Sequence, residues 1–441
     1  METSLNNDIL AILLAGGAGE RLSPLTAHTA KPAIPFGGAY RSIDFTLSKC
    51  VNSNIRRMFV LTQYKALELS RHIREGWNMF SGEMNEFIEV IPPMKRVHED
   101  WYRGTADAVY QNLESILSED TGLTLILAAD HIYKMDYREM ISWHRQKGAD
   151  ITLATIQVPP EEARRFGVVR METSGSVSGF EEKPRHNHPT PSIFNPRMIS
   201  ASMGVYVFNT STLIRALLRD AREPNSSHDF GRDILPACIG ESKVFAYDFH
   251  DLNHNTVRYW RDVGALDAYY DANLDLLSPL PDFNLYDRNW PVRTHMPQQP
   301  PAKFIFSAED RRVGVAIDSI VSAGCVIRGG RLTRSILSPG VRIQSSCEID
   351  SSIIMNDCEI GRNSRIRRAI LPPNSVIPEN TTIGYNQDED SARGYTITEA
   401  GVVVVPPPQS SLSRYEEAGE TAGLIRAARH RHATAKSAAS R

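Results

Sequence analysis

Between residues 320 and 383 single aliphatic side chains return on a fixed beat, and few folds accept such a beat. Ile320, Val326 and Leu332 stand six apart, as do Leu337, Ile343 and Ile349, then Ile354, Ile360 and Ile366, then Leu371, Ile377 and Ile383. The step between triplets is five, so the unit is a 17-residue coil with three short faces, repeated four times. An α-helix needs apolar steps of three and four, which this stretch lacks. One inward aliphatic every six residues describes a parallel β-helix, whose coils bury one another's apolar seam. Gly324, Gly340, Gly361 and Asn363 fall where its corners belong. The period leaves its handedness open.

Ahead of the repeat the pattern is different. Short apolar runs at 9–14, 57–63, 123–128 and 151–158 read as strands, and 65–75 and 136–147 as helices, with Asp136 as an N-cap. Strands alternating with helices imply an α/β domain with a mostly parallel, twisted sheet. Ligands of such sheets sit beyond the carboxyl ends of the strands. Residues 1–280 are therefore read as one such domain. Pro279, Pro281, Pro291, Pro297, Pro300 and Pro301 mark 281–310 as an extended, ordered linker, with the aromatics of 286–291 as anchors. The β-helix follows over 311–405, ending in the Val402–Val405 run, and 406–441 reads as a disordered tail.

Net charge is −3, from 49 basic and 52 acidic residues, which gives no reason to expect a nucleic-acid partner. Five scattered cysteines show no metal or redox spacing and suit a reduced, cytoplasmic setting. No run is long enough to cross a membrane, and the first residues lack a signal-peptide pattern.

The first strand runs into Ala15-Gly16-Gly17-Ala18-Gly19, which carries nothing larger than a methyl group. Such a backbone bends sharply and can aim its N–H groups at phosphates. Arg21 and the Lys31-Pro32 pair add two cations, and together these point to a nucleoside triphosphate site. Neither a P-loop nor the G-x-G-x-x-G pattern is present. Asp130 ends an apolar strand and Asp262 stands in a YWRDVG segment; a triphosphate brings Mg²⁺, which takes a few carboxylates plus phosphate oxygens. Read singly, Asp130 is better explained as an N-cap or a surface residue, and sequence does not show that it meets Asp262. Gly104 and Thr105 open a helix and could offer N–H groups to an anion.

From Gly16 through Lys31-Pro32 the chain resembles the sugar-nucleotide pyrophosphorylases. WYRGTADAV, FGV, EEKP, ASMGVYVF, SSHDFGRD, YWRDVG and YDRNWP then follow in the order of the bacterial ADP-glucose pyrophosphorylases, over nearly 8–400. That resemblance implies a Rossmann-like nucleotidyltransferase domain, a left-handed β-helix and a homotetramer. It implies transfer of the adenylyl group of ATP to glucose 1-phosphate with Mg²⁺, serving α-glucan (glycogen) synthesis. By the same resemblance Gly16, Gly17, Arg21, Lys31, Gln63 and Thr105 contact ATP. Tyr102, Gly167, Glu182, Lys183 and Ser202 contact glucose 1-phosphate, and Asp130 and Asp262 hold the metal, with Arg21, Asp130, Lys183 and Asp262 as the catalytic set. Ala129 replaces the family's usual glycine beside Asp130.

The resemblance also implies an effector pocket for sugar phosphates and nucleotides between the domains, rich in cations. Where typical members carry them, this chain has His28, Thr29, Pro35, Ser118, Pro373, Pro407 and Ser411; Lys31 and Arg41 are retained as a remnant. A pocket stripped of positive charge binds anions poorly, so the response to effectors is expected to be weak or altered. Two other readings compete: a different sugar nucleotidyltransferase, against which WYRGTADAV and YDRNWP count, and a non-catalytic regulatory subunit, against which the intact Arg21, Lys31, Asp130, Lys183 and Asp262 count.

Overall fold

The computed structural model describes residues 8–93, 101–185, 189–252 and 258–408. In the first domain the strands are β1 (Ile9–Ala15), β2 (Arg57–Thr62), β3 (Phe87–Ile91), β4 (Leu123–Ala128), β5 (His131–Tyr133), β6 (Ile151–Val158), β7 (Gly167–Met171), β8 (Val177–Glu182), β9 (Ile199–Asn209), β10 (Val244–Asp248) and β11 (Trp260–Asp262). The helices that matter below are α1 (Ser42–Asn52), α2 (Ala66–Gly76), α3 (Tyr137–Lys147) and α4 (Leu266–Asp275). Each strand and helix expected from periodicity is present within a residue or two, and Asp136 does cap α3, accepting from Arg138 N at 2.9 Å.

Nine strands form one sheet in the order β8-β7-β9-β4-β1-β2-β3, with β6 beside β9 and β10 beside β6. The block β4-β1-β2-β3 is parallel; β9 then runs antiparallel against β4 and β6. Successive residues of β1 enter opposite cores: Ile9, Ala11 and Leu13 pack on one face of the sheet, Leu10 and Ile12 on the other. A fully buried Leu or Ile contributes about 1.5–3 kcal/mol. A strand covered on both faces therefore selects an unbroken apolar run, which is what made β1 and β4 readable. Because the four strands are parallel, their carboxyl ends share one edge, and the loops after β1, β2 and β4 open there.

The solenoid has three parallel faces, the third closed by an antiparallel Thr396–Ile397 strand. Strand pairing begins at Lys303–Ile305, inside the stretch read as linker. From the second coil on, the beat holds: Leu337, Ile343, Ile349, Ile354, Ile360, Ile366 and Leu371 are buried in one seam. In the first coil the reading slips by one residue. Ile327, not Val326, aligns with Ile343, and Val321, not Ile320, aligns with Leu337. Ile320 shares its row with Ile336 and Ile353, on the outside of the third face. That outer surface is apolar because it meets the first domain: Ile353, Met355, Ile370 and Val404 pack with Leu266, Tyr269 and Tyr270 of α4. The Tyr270 hydroxyl also donates to Ser351 O at 2.6 Å. Gly324, Gly340 and Asn363 have positive φ as corners require, as do Asp318, Arg334, Ser351 and Arg368, one per coil, which composition did not mark. Gly361 is needed for space, since a Cβ there would lie 2.6 Å from Glu379 N. Most of the expected tail, from 409 on, lies outside the described residues. Among the described residues all five cysteines are reduced and buried, and no helix is long and apolar enough to cross a membrane.

The linker is tied down at one buried carboxylate. Asp44 on α1 is fully buried, and its Oδ1 meets His72 Nε2 of α2 at 2.6 Å and Trp77 Nε1 at 3.0 Å. Its Oδ2 accepts from Arg41 N at 2.8 Å and from the Thr294 hydroxyl at 2.6 Å. Asn52 Nδ2 to Pro291 O and Arg293 N to Ser48 Oγ fasten the same strap. Replacing Asp44 by Ala strips the acceptor from Trp77 Nε1, Arg41 N and the Thr294 hydroxyl and the hydrogen-bond partner from His72, Trp77 and His72 being buried. We expect an apparent loss of about 3–5 kcal/mol in urea unfolding, with faster proteolysis near 291–296. An unchanged midpoint with an unchanged cleavage pattern would contradict this role.

Candidate active site

At the carboxyl edge of the parallel block lies a cleft of about 560 Å³. Every residue assigned to ATP, glucose 1-phosphate or metal lines it: Gly16, Gly17, Arg21, Lys31, Gln63, Tyr102, Thr105, Asp130, Gly167, Glu182, Lys183, Ser202 and Asp262. Arg41 does not. Its guanidinium donates to Ala33 O, and burial lowers its pKa, partly offset by Glu68, Asp44 and Glu75. Lys31, by contrast, stands in the centre of the cleft and not between the domains.

The glycine loop leaves β1 and passes Gln63 at the end of β2; a Cβ on Gly16 would come within 3.3 Å of Gln63 Cβ. At Gly17 a Cβ would meet nothing within 4 Å, so bare backbone faces open cleft. Gly19 takes φ +69 and leaves no room for a side chain beside Thr26, whose hydroxyl donates to Gly19 O at 2.9 Å.

Asp130 follows β4 and Asp262 ends β11. They meet because β5 and β11 form a two-stranded antiparallel ribbon in which His131 stands opposite Asp262. Residues directly opposite on such a ribbon have Cβ atoms about 5 Å apart. Ligand atoms of Asp130, His131 and Asp262 all lie within 4.8 Å of one another. The Lys31 ammonium contacts Asp130 and sits 3.8 Å from Asp262 Oδ1. Arg21, largely exposed, reaches to 3.9 Å from Asp262 Oδ2. Gly264 keeps this cluster open: a Cβ there would lie within 3 Å of Asp262, Lys31 and Arg21 at once. Burial alone would raise the Asp130 carboxyl, but the Lys31 ammonium and His131 more than offset it and hold it well below the usual carboxylate range. Burial likewise opposes the charge on Lys31, and Asp130 and Asp262 outweigh that and raise its pKa.

Two carboxylates facing each other across this gap are hard oxygen donors suited to a divalent cation. The ammonium marks where positive charge belongs. Donor chemistry and spacing therefore fit the metal that nucleotidyl transfer employs.

The far side of the cleft is built on β7, β8 and β9. Glu182 ends β8 and is pushed up by burial, only partly offset by the neighbouring Lys183. Lys183 holds φ +49, strained for a lysine, with its N–H on Phe166 O at 3.1 Å and its ammonium 3.3 Å from Glu182 Oε1. Ser202 Oγ lies 3.3 Å from the Tyr206 hydroxyl across a bulge in β9. Thr105 donates to Asp229 Oδ2 at 2.9 Å and accepts from Phe230 N at 3.0 Å. Beside the Gly104 and Thr105 N–H groups expected to seat an anion, Ala106 N and Asp107 N both donate to His228 O. His131 and Asp229 line the cleft, although sequence reasoning did not single them out. The position of His131 directly after Asp130 was the one available signal.

Comparison with known proteins agrees with this geometry. Residues 10–278 match the nucleotidyl transferase family, and 300–405 match the GlmU-like C-terminal hexapeptide family. The glucose-1-phosphate adenylyltransferase of Koribacter versatilis is 56% identical over 90% of this chain and 95% of its own. Those of Rhodopirellula baltica and Nitrosococcus oceani are 50% and 48% identical, over 90% and 91% of this chain and 89% and 95% of theirs. The chain belongs to the glucose-1-phosphate adenylyltransferases.

Proposed function

We propose that this chain transfers the adenylyl group of ATP to α-D-glucose 1-phosphate, giving ADP-glucose and pyrophosphate for α-glucan (glycogen) synthesis in the cytoplasm. The observation that carries the reading is one cleft with two dissimilar walls. A bare glycine loop with Arg21 and Lys31 lies on one side of the Asp130–Asp262 pair, and Glu182, Lys183 and Ser202 lie on the other.

A sugar-phosphate oxygen attacks the α-phosphorus of ATP in line as the bond to the β-phosphate bridging oxygen breaks. The nucleophile is already ionised near neutral pH, so the chain supplies no base and no covalent intermediate. Its contribution is position and charge. Arg21 holds the departing β- and γ-phosphates, and Lys183 the phosphate of the sugar. Tyr102, Gly167, Glu182 and Ser202 orient the sugar, with Glu182 accepting from a hydroxyl. Gly16, Gly17, Gln63 and Thr105 seat the nucleotide. Asp130 and Asp262 would hold Mg²⁺, whose positive charge would offset that of the reacting phosphates. Two unit charges 4 Å apart attract by about 4 kcal/mol at an effective dielectric near 20. A dication held by the same carboxylates would be attracted about twice as strongly, which would leave the Lys31 ammonium to pair with the triphosphate.

The assembly is a homotetramer, with the solenoid serving contacts between subunits. Response to sugar-phosphate and nucleotide effectors is weak or altered. His28 is exposed and Pro35 and Ser118 bring no charge, while Arg41 is engaged with Ala33; Ser411 lies outside the described residues. Purified chain should release pyrophosphate only with ATP, glucose 1-phosphate and Mg²⁺ together, at a rate that fructose 1,6-bisphosphate and AMP barely change. No release with any nucleotide would overturn the enzymatic reading, and strong activation at micromolar bisphosphate the effector reading.

The raised pKa of Glu182 sets a sign for pH dependence. As pH falls, Glu182 protonates earlier than an ordinary carboxyl and gives up its charged acceptor for the sugar, so KM for glucose 1-phosphate rises in the weakly acid range. Glu182→Gln should raise that KM by roughly 10-fold or more at neutral pH and flatten the part of the acid limb that the substrate's own phosphate does not explain. KM for ATP should stay put. An identical acid limb in variant and parent would contradict the assignment.

A further inference from the structure

We infer that His131 is a third ligand of the divalent cation held by Asp130 and Asp262, and that it tilts this site toward Mn²⁺ and Co²⁺ relative to Mg²⁺. The inference rests on the reading that the two carboxylates bind a cation.

The ring is set up for this. His131 Nδ1 lies 3.1 Å from Met203 O. A carbonyl only accepts, so Nδ1 carries the hydrogen, and Nε2 is the nitrogen left to face a cation. That orientation is built in from another strand. The bulge in β9 between Ser202 and Tyr206, with Gly204 at φ +67, turns the Met203 carbonyl toward the ring. A Cβ on Gly204 would already touch His131 Cε1 at 3.5 Å, so the ring is flanked on that side. Trp260 packs edge-to-face on it, centroids 5.0 Å apart at 71°. This backbone carbonyl behind an imidazole is the arrangement that fixes tautomer and direction in metal-binding histidines.

Nε2 faces Asp130 Oδ1 at 3.7 Å and Asp262 Oδ1 at 4.0 Å. Both distances are too long for hydrogen bonds. They suit two ligand atoms sharing one ion, each about 2.1–2.2 Å from it. Lys31 contacts the other oxygen of Asp130, Oδ2, and stands 3.8 Å from Asp262 Oδ1, so its ammonium and a cation beside His131 compete for one carboxylate pair. A purely structural histidine would account for the Met203 bond and the Trp260 contact, but not for a second nitrogen aimed between two carboxylates. Mg²⁺ prefers an all-oxygen shell, whereas imidazole suits the later transition metals, which gives the direction of selectivity.

The test uses Mn²⁺ alone on the full chain. Pulsed electron paramagnetic resonance of the wild-type complex should show the nitrogen coupling of a directly bound imidazole. In calorimetric titrations His131→Asn should lose Mn²⁺ affinity by about 10-fold or more while Mg²⁺ affinity falls less. The variant's thermal midpoint is recorded alongside, because a structural role would lower it without moving the Mn²⁺/Mg²⁺ ratio. Bound Mn²⁺ without nitrogen coupling, or an unmoved ratio in His131→Asn, overturns the inference and leaves the carboxylate site standing. Mn²⁺ bound equally well by Asp130→Asn/Asp262→Asn overturns that site and the inference with it.

Discussion

The chemistry of this chain depends on a ribbon of two three-residue strands. Backbone pairing of His131–Tyr133 with Trp260–Asp262 brings together two aspartates 132 positions apart, from 262 minus 130. Neither carboxylate would be stable there alone, since an unpaired ion out of water costs several kcal/mol. The ribbon makes the pair possible, and Lys31, with Arg21 beside it, offsets its charge. The large sheet then acts as a scaffold. Its parallel block delivers the glycine loop, Gln63 and Asp130 to one edge, while the antiparallel β9 brings Ser202 and Met203 to the same cleft from the opposite direction.

Tight packing elsewhere maintains that convergence. α4 follows Asp262 directly and is held on its far side by the outer row of the solenoid through Tyr269, Tyr270 and Ile353. The strap at 291–296 closes onto Asp44, which also gathers α1 and α2. The solenoid is thus continuous with the catalytic domain through shared core, so a change in its coils has a short mechanical route to Asp262.

Much of the fold could be read from periodicity because two-sided burial demands it. β1 and β4 had to be continuous apolar runs, and each solenoid coil had to return one aliphatic to the seam. The slip in the first coil arose where Val326 and Ile327 are adjacent aliphatics and only strand register decides between them. Local chemistry likewise revealed the glycine loop with Arg21 and Lys31. What sequence could not supply is convergence. Asp130 and Asp262 were paired only by resemblance, and His131 and Asp229 went unmarked because their roles depend on partners, Met203 O and Thr105, from distant segments. Next to the Gly104 and Thr105 N–H groups expected to receive an anion, those of Ala106 and Asp107 are taken by His228 O, a tertiary contact that a local rule cannot anticipate.

The central claim is that the Lys31 ammonium and a divalent cation occupy the carboxylate pair in turn. Calorimetric binding of Mn²⁺ to Lys31→Met, without nucleotide, tests it most directly. Removing the competing charge should tighten binding by about 10-fold or more, tenfold being about 1.4 kcal/mol, even as turnover with ATP falls. Binding that is unchanged or weaker in Lys31→Met would mean that the ammonium and the cation do not share the site.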